Sequence, residues 1–472
     1  MDLQAKLDSM VEDSGDGFRV DRAVYFDPDV FEAEVAALFE GGWVYVCHES
    51  QLAKRGDYVT AKLGRQPVLV VRQRDGGIGG FINACSHRGA TLALFQQGNA
   101  PSFTCRFHGW VFALDGTCVK IKNEETGAYP SADCRARFSL TALPRLDTYR
   151  GFVFASLNPD VAPLADYLGP TRSWIDLMVD QSPQGLEILP GTSTYVVRGN
   201  WKMQAENGVD GYHVSTVHRV FGQAMARREQ KLGLSGMQRT EAGRIMGDVT
   251  SAGFDFGNGH MAIWAEHTDP TKRPAYAQKE RLERDFPPAT VDWMLRRGRN
   301  LYLFPNVLLM DNPSTQVRTI QPLSPDRAEV TVRCIAPVGE SREARAARLR
   351  KFEDFYLPTG MATSDDVAAL EAAHAGGYGQ AARWNDLARG ATAVMHGGEN
   401  RDAAAIGCTP ETSSPNWDHE ALYRGFFRNW RQRLLEHAAA GARARSGAAA
   451  TAAAPATPFH DAAGARGSRE PA

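Results

Sequence analysis

No apolar run in this chain approaches the roughly 20 residues needed to cross a bilayer, and nothing in it reads as a membrane span. The opening Met1-Asp2-Leu3-Gln4-Ala5-Lys6-Leu7-Asp8 lacks the basic-then-apolar layout of a secretion signal. An excess of either charge is missing too. Against 53 basic side chains stand 55 acidic ones, a net charge of −2, which removes any general attraction to nucleic acid or an anionic membrane. No internal repeat, nucleotide-binding, flavin or haem motif is present. Cysteine is sparse and odd in number, at seven (47, 85, 105, 118, 134, 334, 408). These absences point to the cytoplasm, where thiols stay reduced and read as metal ligands or packed side chains before disulfides.

What is present is ordinary globular material: 43% hydrophobic and 23% charged over 472 residues, enough for two or three domains. Residues 28–42 place Val30, Phe31, Val35, Leu38 and Phe39 at helical spacing before Gly41-Gly42. Residues 1–42 are therefore expected to be an N-terminal helical segment packed on the later, larger domain. From 43 to 156 come short β-rich runs such as Tyr58-Val59-Thr60 and Pro67-Val68-Leu69-Val70-Val71, broken by turn residues. Residues 157–437 mix strands and helices, beginning with a Pro-containing connection up to about 185. The expected class is α+β, with a small all-β domain first. Residues 438–472 are Ala-rich with scattered Gly, Pro, Arg and Ser and read as a disordered tail.

Inside the β region stand Cys85-Ser86-His87 and, seventeen intervening residues later, Cys105-Arg106-Phe107-His108. Each arm offers one thiolate and one imidazole. A [2Fe-2S] cluster with two Cys on one iron and two His on the other needs this composition. Gly89 and Gly109 suit tight turns after each arm, and Trp110 is placed to shield the cluster. The rival readings are a Cys2His2 zinc site, which more often pairs like ligands along the chain, and unrelated buried residues. The other five cysteines lack such partners and read as packed thiols.

A second constellation runs from Trp201 to His218. His213 and His218 with one carboxylate would make the two-His, one-acid face of a non-haem iron site. Their five-residue separation puts them about 140° apart on an ideal helix, so joint chelation needs a break, an overwound turn or a helix end. Alone, such a pair is more often solvent or core histidine. Beside an electron-delivering cluster it becomes the natural receiver. Asp210, three residues before His213, is spaced to hydrogen-bond its second ring nitrogen. The remaining acid is sought in Gly360-Met361-Ala362-Thr363-Ser364-Asp365-Asp366-Val367, where one Asp could cap a helix and the other point to the metal.

Together these residues resemble the α subunits of Rieske non-haem iron aromatic-ring dioxygenases, over about residues 25–435. The resemblance is strongest to the benzoate/toluate 1,2-dioxygenase group, whose relatives act on anthranilate and 2-halobenzoates. It is carried by Ala84 to Leu92, Gly199 to His218, Phe352 to Phe355, Gly360 to Asp366 and Trp384 to Gly390. It implies a Rieske β domain beside a helix-grip catalytic domain with an antiparallel sheet. By the same resemblance Cys85 and Cys105 hold one cluster iron, His87 and His108 the other, and Asp366 joins His213 and His218 on a mononuclear Fe(II). Asp210 would bridge the metal sites of neighbouring subunits through His108. NADH-derived electrons would arrive from a flavin/[2Fe-2S] reductase, and the assembly would be α3β3 with a small β subunit, or an α3 trimer. The expected substrate is O2 plus a benzoate-type acid. Asn207, Val209, Arg318 and Tyr356 are candidate substrate contacts, Arg318 lying in an alternating strand that could face either the pocket or solvent. His374 stands where the benzoate enzymes are expected to carry an uncharged amide. A Rieske monooxygenase or demethylase would keep every ligand, whereas an electron carrier would need only the first set.

Overall fold

The computed structural model describes residues 2–126, 129, 137–240, 248–379 and 381–452, with side chains up to 443. Cys134 lies outside them. Among the described residues no helix is long and apolar enough to cross a membrane.

The early β runs form three small antiparallel sheets. In the four-stranded one, Asp57–Leu63 and Gln66–Arg72 are the central pair. Their inward residues, among them Tyr58, Leu69 and Val71, pack with Phe81, Cys85, Cys105, Trp110 and Phe112 in one core. The alternation in the sequence thus becomes a sheet against whose inner face both cluster cysteines pack from loops.

The larger domain is built on a ten-stranded antiparallel sheet. Its middle runs Met261–Glu266, Arg297–Leu303, Val307–Asp311, Thr315–Ser324 and Arg327–Pro337, each paired with the next. One face looks onto the helices that follow Asn200. Asn200 caps the helix Trp201–Asn207 by accepting from the Lys202 N–H at 3.1 Å. Gly208 lets that helix end sit on the sheet: a Cβ there would lie 2.5 Å from Leu308. The Gly208 carbonyl accepts from Asn300 Nδ2 at 3.0 Å.

The N-terminal segment packs against the larger domain, with Leu38 and Phe39 in one core with Trp201. Its helix Pro28–Glu34 continues as a π-helical stretch, Val35–Glu40, instead of a uniform α-helix. Fully buried Glu34 accepts from Trp201 Nε1 at 2.8 Å, Lys202 Nζ at 2.5 Å and Trp430 Nε1 at 2.6 Å. One carboxylate thereby ties the N-terminal segment, the helix before the ligand histidines and the C-terminal helix.

The reading of 438 onward as disordered needs correction. The last helix runs Leu422–Ala452, fifteen residues past the expected boundary. Alanine is the strongest helix former, and no Pro intervenes before 455, so the helix propagates without an apolar stripe. Residues 453–472 lie outside the described ones.

Candidate metal centres and substrate pocket

The two cluster arms fold alike. In the first, the Cys85 N–H donates to the Ala90 carbonyl and the Gly89 N–H to the Cys85 carbonyl, both at 2.8 Å; in the second, Cys105 donates to Trp110 at 2.8 Å and Gly109 to Cys105 at 2.9 Å. Gly89 and Gly109 share φ +74°, the left-handed region that favours glycine. Two identical turns therefore present two Cys-His pairs side by side. The thiols are buried and the imidazoles lie outward, their ring centroids 4.6 Å apart. Burial, together with the neighbouring Cys105 thiol, pushes the Cys85 thiol up. Trp110 stacks on His87 at 4.7 Å with an interplanar angle of 8°. The pairing of two buried sulfurs with two adjacent outward imidazoles fits the ligand set of a [2Fe-2S] cluster held by two Cys and two His. Cys47, Cys118, Cys334 and Cys408 are buried and form no disulfide with one another.

The second site solves the five-residue problem by breaking the helix. His213 precedes the short helix Val214–Val217, and His218 follows it with φ −92° and ψ 15°, just before Arg219–Leu232. The kink turns both rings to one point, their Nε2 atoms 3.2 Å apart. Asp366 Oδ1 lies 3.3 Å from each. Octahedral bonds of about 2.1 Å set neighbouring ligand atoms roughly 3.0 Å apart. A divalent cation therefore fits the triangle, and two imidazole nitrogens facing each other at this range favour one.

Electrostatics agrees. Burial opposes charge on His213, yet the Asp210 and Asp366 carboxylates push its imidazole up to about 10. Asp366, despite burial, is held below the usual carboxylate range by His213 and His218. Asp210 Oδ2 sits 3.1 Å from His213 Nδ1, and its Oδ1 accepts from the Tyr212 N–H at 2.7 Å. Asn207 Nδ2 donates to Asp366 Oδ1 at 3.3 Å. Asp366 is in the first turn of Thr363–Gly377, whose N-cap, Ala362, makes no side-chain cap; the expected capping role of an Asp is absent. Asp365, half-exposed, instead favours the helix N-terminus by charge.

One pocket opens beside this triad, lined by His213, His218, Asp366, Asn207, Arg318 and Tyr356 among others. Ile263, Asn300 and Met310 form a register row across three strands; Arg318 pairs with Leu308, two residues from Met310, so it shares the row's face. Arg318 is 3% exposed. Its alternation thus resolves inward. Val209 does not belong here: it is fully buried in the hydrophobic core with Trp201 and Ala205. Adjacency to the motif misleads, because the residue after Gly208 turns away from the metal. His374 is likewise outside the pocket wall and packs on Phe26 at 4.5 Å. Sequence reasoning missed Asn300, Met310, Lys351, Phe355 and Trp417. Lys351 had a signal: with Ala344, Arg348 and Phe352 it falls on the buried stripe of Arg342–Phe355.

The Rieske [2Fe-2S] domain model matches residues 42–144 and the ring hydroxylating alpha subunit (catalytic domain) model residues 190–436. The chain is 43% identical over 434 residues to toluate 1,2-dioxygenase subunit alpha of Pseudomonas putida, covering 91% of this chain and 94% of that one. The chain belongs to the ring-hydroxylating dioxygenase alpha subunits. The 2-halobenzoate 1,2-dioxygenase large subunit of Burkholderia cepacia is 39% identical, over 89% of this chain and 90% of its own length. A solved naphthalene 1,2-dioxygenase with indole bound superposes with a TM-score of 0.75 at 25% identity, over 88% of this chain and 92% of that one. The α+β class, the two-domain architecture and the pairing of a Rieske cluster with a non-haem iron centre follow for this Rieske dioxygenase subunit.

Proposed function

We propose that this subunit dihydroxylates a benzoate-type aromatic carboxylate, and that Arg318 holds the acid group. The carrying observation is that Arg318 lines the triad's pocket, nearly inaccessible to bulk water, with no carboxylate in ion-pairing range among the described residues and a buried Nε lacking a hydrogen-bond partner. A buried guanidinium in that condition awaits an anion. Its charge acts on Asp366 and His218, so an acid held there keeps the adjacent ring carbons near the metal.

In this reading Cys85, Cys105, His87 and His108 hold the cluster, and His213, His218 and Asp366 hold Fe(II). The bound iron supplies the site at which O2 is activated, with electrons derived from NADH through a reductase partner. Asn207 and Asp210 keep Asp366 and His213 oriented through the contacts above, while Phe355, Met310 and Ile263 give the ring an apolar bed. The balance is one ring acid, O2, two electrons and two protons, yielding a cis-dihydrodiol carboxylate. An ortho amino or halide substituent instead permits collapse to catechol with loss of CO2 and of ammonia or halide ion. A small β subunit in an α3β3 assembly, or an α3 ring, completes the oxygenase.

Turnover of a panel of benzoates under isotopically labelled O2, with a compatible reductase, tests the reading. Products carrying two labelled oxygens support it. One labelled oxygen in the product would make the enzyme a monooxygenase, and turnover of uncharged rings alone would remove the acid from the substrate.

A further inference from the structure

The same pocket contains a second buried cation that the reaction above does not use. Lys351, on Arg342–Phe355, is 6% exposed and reaches the pocket together with Lys272, Arg273 and Thr240. Its ammonium donates to the Lys272 carbonyl, and among the described residues no carboxylate lies within ion-pairing distance of it.

Among the described residues the acids around it are committed elsewhere. Asp311 is shared by Arg273, at 2.7 Å, and Arg299, so one negative charge answers two positive ones. Glu229 binds Arg239 at 3.2 Å and the Thr240 N–H. Glu340 binds Arg348 at 2.9 Å and Arg345 at 2.8 Å. Among the described residues this end of the pocket therefore carries surplus positive charge on buried side chains, a costly arrangement unless an anion visits. Arg318 pairs with Leu308, on which the Gly208 end of the ligand segment sits, whereas Lys351 reaches the carbonyl of Lys272, next to Arg273, which binds Asp311 three residues further along that strand. The two cations thus mark a near end and a far end of one pocket.

We propose that Lys351 forms a distal anion subsite, taking a second carboxylate on the far side of an aromatic ring whose first carboxylate is held by Arg318. This rests on the aromatic-acid reading and narrows it to rings with acidic groups at both ends. Burial and the adjacent Arg273 hold the Lys351 ammonium down to about 7, the condition of a cation short of its counter-charge; a bound carboxylate raises it again.

Calorimetric binding to the cluster-loaded oxygenase, with benzoate, benzene-1,3-dicarboxylate and benzene-1,4-dicarboxylate as probes, tests this. Wild type is expected to bind at least one dicarboxylate as tightly as benzoate or more so. Lys351→Met should weaken that dicarboxylate at least tenfold and benzoate less than threefold, and Arg318→Met should weaken both. Lys351→Gln, which keeps a polar end, serves if the Met variant folds poorly. An unchanged or raised unfolding midpoint in either variant supports a ligand-binding over a structural role. Equal weakening of benzoate and the dicarboxylates by Lys351→Met, or failure of wild type to bind either dicarboxylate while binding benzoate, overturns the subsite. Failure to bind even benzoate overturns the aromatic-acid reading itself, and this inference with it.

Discussion

At the scale of single residues, the sharpest question is which acid of Ser364-Asp365-Asp366 serves the metal. Sequence spacing left both open, and only the resemblance chose; the geometry now separates them, with Asp366 buried at 3.3 Å from both imidazoles and Asp365 half-exposed. Asp366→Ala should abolish product while leaving the visible absorbance of the oxidised cluster unchanged, since the two metal sites share no ligand. Asp365→Ala should remain active; the opposite outcome reverses the assignment. Arg318→Met should weaken benzoate-type substrates by about 2–4 kcal/mol and leave uncharged rings nearly unaffected. Unchanged discrimination between benzoate and toluene would remove Arg318 from acid recognition. Legibility at this scale followed distance along the chain. Ligands within one motif could be read directly, whereas the sign of Arg318's alternation and the turning away of Val209 depend on which sheet face the helices cover, which no local pattern encodes.

At the scale of elements, the helix break between His213 and His218 was demanded by arithmetic, but its form was not. Nor was the lock on Glu34 legible, because its donors are Trp201, Lys202 and Trp430, far away in sequence. Removing one member of such a buried charged set strands the others. Glu34→Ala should therefore destabilise by about 3–5 kcal/mol, read as a fall in the denaturant midpoint; a change below about 1 kcal/mol would show the set to be dispensable. Another strand end makes a pH prediction. Asp255 closes Ser251–Asp255, is 4% exposed, and lies so close to Gly425 of the last helix that a Cβ there would meet its carboxyl. Burial, with Glu411 nearby, pushes its carboxyl up to about 7. The folded state then holds a proton that the unfolded chain releases near pH 4. Its stability contribution is full below that value and is lost as pH rises to about 7, a cost on the order of 4 kcal/mol. Asp255→Asn should raise the unfolding midpoint at pH 8 and change it little at pH 4; an equal effect at both would assign the gain to packing.

For the whole molecule, the question is how a cluster in one domain serves an iron in another. The Cys-His arms and the histidine pair were legible because each is a local motif, whereas the connection between the two sites came only with the family resemblance, since no spacing within one chain encodes a contact to a neighbour. Asp210 carries the relevant geometry: it fixes His213 Nδ1 at 3.1 Å while its side chain stays 28% exposed. The cluster histidines also lie outward, and Phe107 beside His108 is 60% exposed. Two outward-facing edges of one chain suit a ring in which each meets the other kind on a neighbour. The proposed link is Asp210 accepting from His108 of the partner subunit. The competing idea is that Asp210 only orders the turn that holds Tyr212. Asp210→Asn separates them, because the amide keeps the size and the turn's acceptor oxygen while removing the charge that pairs with an imidazole. Iron analysis should still give about three irons per chain, two in the cluster and one in the mononuclear site. Single-turnover measurement, starting from reduced cluster and substrate-loaded enzyme, should then show cluster reoxidation slowed by orders of magnitude. Reoxidation at the wild-type rate with full iron content would leave Asp210 a turn-forming residue, and the electron would have to cross between subunits by another contact.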